Sequence, residues 1–320
     1  MINESEWDRA LAMIADSTRV AICCHVNPDG DALGSMLGLG SFLRRRGSAV
    51  WMSWGAEAPF PPLQYTFLPM LDEVTAVGSI PEDIGLFIAI DCADVERLEL
   101  AKPKFEKAPA RMNIDHHVTN VGYADVNLVD ANRGSSCEIA YELLTRIGGE
   151  LTSDEAMCLY TGIVTDTGRF QYSNTSPGTL RVAAELRELG VDHERVSTAV
   201  YESLSFEFLK VLGIVLSRAK MENGFVWSFV NQEDLGGLSL DETENFIDTL
   251  RGVRGCRLAA FIKEQPEGGY KISLRSHGDV DVAAVALDFG GGGHARAAGF
   301  SADGPVEALA AKIKERAAVR

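Results

Sequence analysis

Short apolar runs recur at residues 20–26, 49–53, 86–90 and 110–114, and helix-like segments separate most of them. Strands alternating with helical patterns predict a parallel, doubly wound sheet. A helix is expected over residues 4–16, ahead of the first run, and three more over 135–148, 154–165 and 177–190. The last of these opens on Ser176-Pro177, an N-cap followed by proline at the first helical position. Residues 1–192 therefore read as one α/β domain. Residues 193–220 read as a connecting helix, with amphipathic spacing at Val200, Leu204, Phe208, Leu212 and Val215. A smaller α/β domain follows over 221–320, with strands at 225–230, 257–263 and Lys271-Ile272-Ser273-Leu274-Arg275, and helices at 239–252 and 305–317. Within it Glu264-Gln265-Pro266-Glu267-Gly268-Gly269 reads as a hairpin loop.

A chain of 320 residues favours two domains. Its 46% hydrophobic and 24% charged content is that of an ordinary soluble protein. It contains no apolar run of about 18 residues. Met1-Ile2-Asn3-Glu4-Ser5-Glu6 lacks the basic and then apolar pattern of a signal peptide, so a cytoplasmic location with no membrane partner is expected. Six cysteines occur without a Cys-x-x-Cys pair, which suggests neither a zinc site nor a disulfide framework. The net charge of −16 argues against a long nucleic acid, whose affinity would come from Lys and Arg neutralising phosphates. Any nucleic-acid substrate should be short, although bound divalent metals would reverse the field locally.

The first apolar run ends in HVNPDGDALGS, residues 25–35. Turn chemistry accounts for Asn27 to Gly30 and leaves His25 and Asp31 unexplained. Asp91 follows Leu86-Phe87-Ile88-Ala89-Ile90, and Asp115-His116-His117 follows Arg111-Met112-Asn113-Ile114. In open α/β sheets ligands bind outside the carboxyl ends of the strands, so these residues should converge. Asp166 adds to them, at the end of the helical segment in Thr161-Gly162-Ile163-Val164-Thr165-Asp166-Thr167-Gly168. Taken singly, each aspartate reads as a turn or N-cap residue. Taken together, Asp29, Asp31, Asp91 and Asp166 would repel one another at one edge of the sheet, and two divalent cations balance their charge. In the smaller domain Gly290 to Gly293 cannot be a helix interior, where each glycine costs roughly 1 kcal/mol. The run is either a flexible loop or a place where backbone N–H groups approach an anion; His294 and the small residues after it favour the second. Arg275 is either a surface arginine or a bidentate phosphate contact. Ser135-Ser136-Cys137-Glu138 resembles a capped helix start. Arg169 either steadies transition-state charge or pairs with a carboxylate, and Arg44-Arg45-Arg46 reads as a helix C-terminus meeting the dipole.

His25-Val26-Asn27-Pro28-Asp29-Gly30-Asp31-Ala32, Asp91, Asp115-His116-His117 and Gly162 to Gly168 resemble the four successive motifs of the DHH phosphoesterase superfamily. Gly290-Gly291-Gly292-Gly293-His294-Ala295-Arg296-Ala297-Ala298-Gly299 resembles the signature of the DHH-associated substrate-binding domain. Nearly the whole chain is covered, in order, and the match is closest to the RecJ-like branch and its small two-domain NrnA type. The resemblance implies that His25, Asp29 and Asp91 hold one metal, and Asp31, Asp91, His116 and Asp166 the other, with Asp91 bridging. A mixed imidazole and carboxylate set with open positions suits Mn²⁺. In such sites the ions lie about 3.5–4 Å apart and clamp the attacking and leaving oxygens of an in-line displacement. Asp115 is implied to orient its neighbours, and His117 to bind a phosphoryl oxygen or protonate the leaving group. Ser136 lies near the active site in the family, within reach of a phosphate. Arg275, Gly291, Gly292, Gly293 and His294 are implied to bind substrate.

The activity implied is hydrolysis of very short oligoribonucleotides to 5′-mononucleotides, and of 3′-phosphoadenosine 5′-phosphate (pAp) to AMP, by metal-activated hydroxide attack on phosphorus. The rival is a phosphodiesterase for cyclic di-AMP or its linear product. A family II pyrophosphatase lacks the glycine signature, and a processive RecJ exonuclease is usually much longer. A nucleotide sensor without turnover would need a broken metal site, and every expected ligand position is filled. The apolar stripe at 200–215 fits a homodimer or packing within the chain.

Overall fold

The computed structural model describes residues 1–243 and 245–318, the side chains of Asp241, His294 and Ala318 excepted. The chain divides into two compact units, Met1–Ser203 and the remainder from Leu204. In the first, the elements follow as α1 (Glu4–Ala15), β1 (Arg19–Cys24), α2 (Gly30–Arg45), β2 (Ala49–Ser53), β3 (Leu86–Ile90), α3 (Lys102–Lys107), β4 (Arg111–Asp115) and β5 (Val126–Val129). They continue with α4 (Ser136–Ile147), α5 (Ser153–Asp166), α6 (Pro177–Glu188) and α7 (His193–Tyr201). The five strands form a sheet of order β2-β1-β3-β4-β5, and every pairing is parallel. The apolar runs lack alternation because both faces are covered. Val20, Ile22, Cys24, Ile88 and Ile114 pack with Trp7, Met36, Leu143 and Leu159 on one side. Ala21, Cys23, Phe87 and Ala89 pack with Leu98 and Phe105 on the other.

From β1 the chain winds outward to β2, then returns to the far side of β1 for β3. The strand order thus reverses between β1 and β3, and loops leaving their carboxyl ends diverge to open a crevice there. α2 and α5 close that crevice from one face. They approach so tightly that a Cβ on Gly34 would overlap the Cys158 carbonyl oxygen, and one on Gly162 would lie 2.9 Å from Asp31 Cα.

The second unit comprises α8 (Phe206–Ser217), β6 (Lys220–Glu222), β7 (Phe225–Val230), α9 (Phe246–Arg251), β8 (Leu258–Glu264), β9 (Tyr270–Ser276), α10 (Val282–Leu287), β10 (Gly292–His294), β11 (Ala297–Ala302) and α11 (Val306–Ala318). Its sheet runs β10-β11-β9-β8-β7-β6, and only the β7–β8 pair is parallel. Trp227, Ala260 and Leu274 face Val285 and Ile313, while Val226, Ala259 and Phe261 face Phe208 and Phe246.

Four sequence expectations are corrected. The single helix expected over 193–220 is broken between α7 and α8, because the Ser205 hydroxyl accepts a hydrogen bond from Phe208 N–H and starts a new helix. Leu204, placed on the buried stripe by its spacing, is 51% exposed in the break. The helix expected over 239–252 is a 3₁₀ turn at Asp241–Thr243 and the short α9; residue 244 lies outside the described residues. β5, β6, β10, β11 and α10 were not anticipated. Among the described residues no helix is long and apolar enough to cross a membrane.

The α2–α5 contact yields a measurable expectation. Gly34→Ala drives a methyl into backbone that no rotamer change can clear, so it should destabilise by about 1–3 kcal/mol, read as a lower urea midpoint at unchanged slope.

Candidate metal centre

Each strand end at the crevice presents its side chains by local chemistry. His25, immediately after β1, engages the Val26 carbonyl oxygen through Nδ1 at 2.8 Å and turns Nε2 toward Asp91 Oδ2 at 3.4 Å. Donation to a carbonyl fixes the proton on Nδ1 and leaves the Nε2 lone pair for a ligand. Asn27 at φ 52° and the following Pro28 bend the chain so that Asp29 caps α2, its Oδ1 accepting from Asp31 N and Ala32 N at 3.0 Å. Asp31 lies buried in the first turn and accepts from the first two amides of α4, Ser136 N at 2.7 Å and Cys137 N at 2.9 Å. Asp91 leaves β3 with φ 56°, a left-handed conformation that is uncommon outside glycine. Its Oδ1 accepts from Ser136 Oγ at 2.9 Å. β4 ends in Asp115, and His116 then directs Nε2 to Asp166 Oδ2 at 3.4 Å, Asp91 Oδ1 at 3.8 Å and Asp31 Oδ2 at 3.9 Å.

Three overlapping donor groups result, each with its ligating atoms within 4.8 Å of one another: His25, Asp29 and Asp91; Asp31, His116 and Asp166; and Asp91, His116 and His117. All six side chains expected to hold metal therefore meet at the β1/β3 crevice. Asp115 stands outside these groups, and its Oδ1 engages His117 Nδ1 at 2.7 Å. Arg169 points its guanidinium over the ring of Tyr201, 4.4 Å from the centroid.

The charges suit a cation. Burial, with the neighbouring charges of Asp91, Asp166 and Asp29, pushes the Asp31 carboxyl well above the carboxylate range, against an opposing pull from His116. Asp166 is raised likewise by burial and by Asp91 and Asp29. Burial alone would raise Asp91, but its hydrogen bond to His25 and the charges of His25, His116 and His117 hold it below the ordinary range. His25 is raised by Asp91 and Asp29 despite burial. His117, which burial would lower, is lifted to about 9 by Asp115 and Asp91. Oxygen and imidazole nitrogen donors, crowded carboxylates and histidines with fixed tautomers fit a hard or borderline divalent ion.

In the second unit Arg275 lies in β9 and its Nη1 donates to the Leu274 carbonyl oxygen at 3.1 Å. The register places Arg275 opposite Ala297, and Ala297 opposite His294, so the three positions share one level of the sheet. The side chain of His294 lies outside the described residues. Gly292 and Gly293 belong to β10, and a Cβ on Gly293 would lie 2.5 Å from the Ala297 carbonyl oxygen. Gly291 meets Gly299 and Phe300 as closely. Close approach of β11 is thus sufficient reason for glycine at 291 and 293.

Sequence reasoning missed how α4 serves the site. Its two leading amides hold Asp31 and the Ser136 hydroxyl holds Asp91; the double serine was the available signal. Asn174 was also missed, with Nδ2 donating to Asp166 O at 3.2 Å and Gly134 O at 2.9 Å.

The raised groups set a pH dependence for the protein stripped of divalent cations. Asp31 and Asp166 hold their protons in the folded chain above the value of 3.8 at which the unfolded chain releases them, so folding weakens as pH rises past it. The stability from His25 and His117 is complete below 6.5 and is lost through their raised values, near 9 for His117. Both contributions fall together. Asp91 acts oppositely, but its contribution is lost only below 3.8. Melting curves of EDTA-treated protein should therefore drop from about pH 6 to about pH 9, and the rise on adding Mn²⁺ should widen over that interval.

The model of the DHH family, N-terminal domain, matches residues 19–163, and that of the DHHA1 domain matches residues 230–318. The bifunctional oligoribonuclease and PAP phosphatase NrnA of Thermus thermophilus is 34% identical over 293 residues, 89% of this chain and 84% of its own. The Bacillus subtilis protein of the same name is 31% identical over 283 residues, 87% of each chain. Among solved structures, an exopolyphosphatase-related protein from Bacteroides fragilis superposes with a TM-score of 0.92 at 25% identity, over 99% of this chain and 96% of that one.

Proposed function

The chain belongs to the DHH family, in the two-domain form with a DHHA1 domain that includes the NrnA enzymes, and from that premise we propose that it is a cytoplasmic phosphoesterase using two divalent cations, most suitably Mn²⁺. It hydrolyses very short oligoribonucleotides to 5′-mononucleotides and pAp to AMP. The observation that carries this reading is the pair of donor groups, His25, Asp29 and Asp91 beside Asp31, His116 and Asp166. The names of the Thermus and Bacillus relatives support both substrates.

One site serves both reactions because both break the same bond. Release of a 5′-mononucleotide from RNA and removal of the 3′-phosphate of pAp each cleave phosphorus from a ribose O3′. Water oxygen bonds to phosphorus, the P–O3′ bond breaks, and O3′ leaves as a hydroxyl once protonated. When bound, the two cations supply Lewis acidity and neutralise charge on the attacking and leaving oxygens. Asp91 belongs to the first group and lies 3.8 Å from His116 of the second, so it would help to hold both cations. Asp31 is pinned by the amides of α4, which keeps its carboxylate from swinging as substrate enters. His117, with Nδ1 committed to Asp115, holds at Nε2 the proton that O3′ takes up. Ser136 keeps Asp91 oriented and is close enough to the carboxylates to contact a phosphate. Arg169 steadies phosphoryl charge. Arg275, Gly291, Gly292, Gly293 and His294 bind the substrate's remaining phosphate. The net charge of −16 keeps longer polyanions away.

Purified protein with Mn²⁺ should release AMP from pAp and 5′-mononucleotides from di- to pentanucleotides. Asp91→Asn keeps a residue that tolerates left-handed backbone and should fold, yet abolish turnover. Cleavage of cyclic di-AMP in preference to both substrates would favour a cyclic-dinucleotide phosphodiesterase. Binding without turnover across the whole panel would overturn the enzyme reading.

A further inference from the structure

The segment after His117 runs over the surface. Val118 is 80% exposed and Val121 85%, but Asn120 between them turns its side chain inward. Its Nδ2 donates to Asp115 Oδ2 at 2.6 Å, to Asn113 Oδ1 at 2.6 Å and to the Cys92 carbonyl oxygen at 3.2 Å. The same carbonyl accepts from Tyr123 Oη at 2.8 Å and from Asn113 Nδ2 at 3.3 Å. Asn113, fully buried in β4, also donates to Tyr123 Oη at 3.0 Å. One polar cluster thus joins the loop leaving β3 to the loop leaving β4. Cys92 directly follows Asp91, so donors converging on its carbonyl help hold Asp91 in its left-handed backbone. Such conformations cost of order 1–3 kcal/mol and persist only where surroundings over-determine them.

Asp115 is fully buried, and each of its oxygens has a partner of its own: Asn120 on Oδ2 and His117 on Oδ1. A buried carboxylate without donors is costly, so removing one donor frees the group to rotate toward another. The orientation of the His117 ring therefore depends on a side chain that is hydrogen-bonded to Asp115 and stands outside the donor groups. A simple loop tie would need less. Asn120 Oδ1 already accepts from Gly122 N at 2.8 Å, which alone closes the turn.

We propose that Asn120 is a positioning residue for phosphoester hydrolysis, fixing the Asp115 carboxylate and, through it, the His117 ring. This rests on the function proposed above. No part of it requires Asn120 to meet substrate.

The test compares Asn120→Ala and Asn120→Asp, alone and combined with His117→Ala, in full-length protein with pAp. Asp keeps the acceptor for Gly122 N and loses the donor to Asp115. Positioning predicts that both single variants lower kcat by about 10–100-fold, the usual cost of losing such a supporting partner. KM should stay within about twofold, since a group acting only on the chemical step leaves substrate binding intact. In the His117→Ala background neither should lower kcat further, because coupled residues are not additive. Independently of activity, ¹⁵N-histidine spectra of the Mg²⁺-loaded protein should show a hydrogen-bonded Nδ1–H on His117 that disappears in Asn120→Ala. Recovery of kcat by Asn120→Asp, or full additivity with His117→Ala, would mean that Asn120 only closes the loop. An unchanged His117 signal in Asn120→Ala would overturn the proposal by itself. If wild-type protein turns over no substrate, it is the proposed function that fails, and the His117 signal still decides the role of Asn120.

Discussion

Like charge concentrated at one point of a parallel sheet is the constraint from which most of the first unit follows. Asp31, Asp91 and Asp166 are drawn within reach of one imidazole nitrogen, His116 Nε2, at 3.9, 3.8 and 3.4 Å. No arrangement of these groups is comfortable without positive charge among them. The protein answers with fixed dipoles first. The N-terminal amides of α4 face Asp31, where unpaired N–H groups carry partial positive charge. It then relies on imidazoles around Asp91, whose carboxyl is held ionised while its neighbours are driven toward protonation. That imbalance leaves a ready anion at the centre and two reluctant ones at the rim.

The parts of this arrangement that were legible in sequence are those dictated within a strand or at its end. The runs of β1, β2, β3 and β4 could be read because burial on both faces removes polar residues from them. The candidate donors could be read because the topological rule places strand ends together, whatever their distance along the chain. Asp115 as a residue that orients others followed from resemblance, and the His117 contact supplies a physical reason. What could not be read depends on contacts between elements. β5 is only Val126–Val129, with alternate burial at the edge of the sheet. β10 and β11 are rich in glycine and alanine, residues with little strand propensity; they pair because close backbone approach demands small side chains. The break before α8 was hidden because α7 ends at Tyr201 and Ser205 starts a new helix while the apolar spacing continues across the gap. Asn120 gave no signal at all, since an asparagine in a polar loop is the commonest of turn residues.

The two units also differ in what glycine does for them. In the first it lets helices press together behind the donor groups, and in the second it lets an edge strand lie flat against its neighbour. Both reduce backbone separation. A glycine run that could be read as a flexible loop in sequence is half strand.

The left-to-right order of the first sheet bears on how the protein is made as well as on what it does. Its donors are spread from residue 25 to residue 166, on three strand ends and two helix ends. None of the three donor groups comes from a single local segment: the first needs β1 and β3 in register, the second needs β4 placed and α5 docked against α2, and the third needs β3 beside β4. Parallel pairing of this kind is governed by long-range contacts and is slow to nucleate. An ion therefore has nothing specific to grip in the early, collapsed chain. Its effect falls on the lifetime of the finished fold, because contacts absent from the transition state slow unfolding and leave folding almost unchanged. A bound ion would work as a latch that is set only after the door has closed.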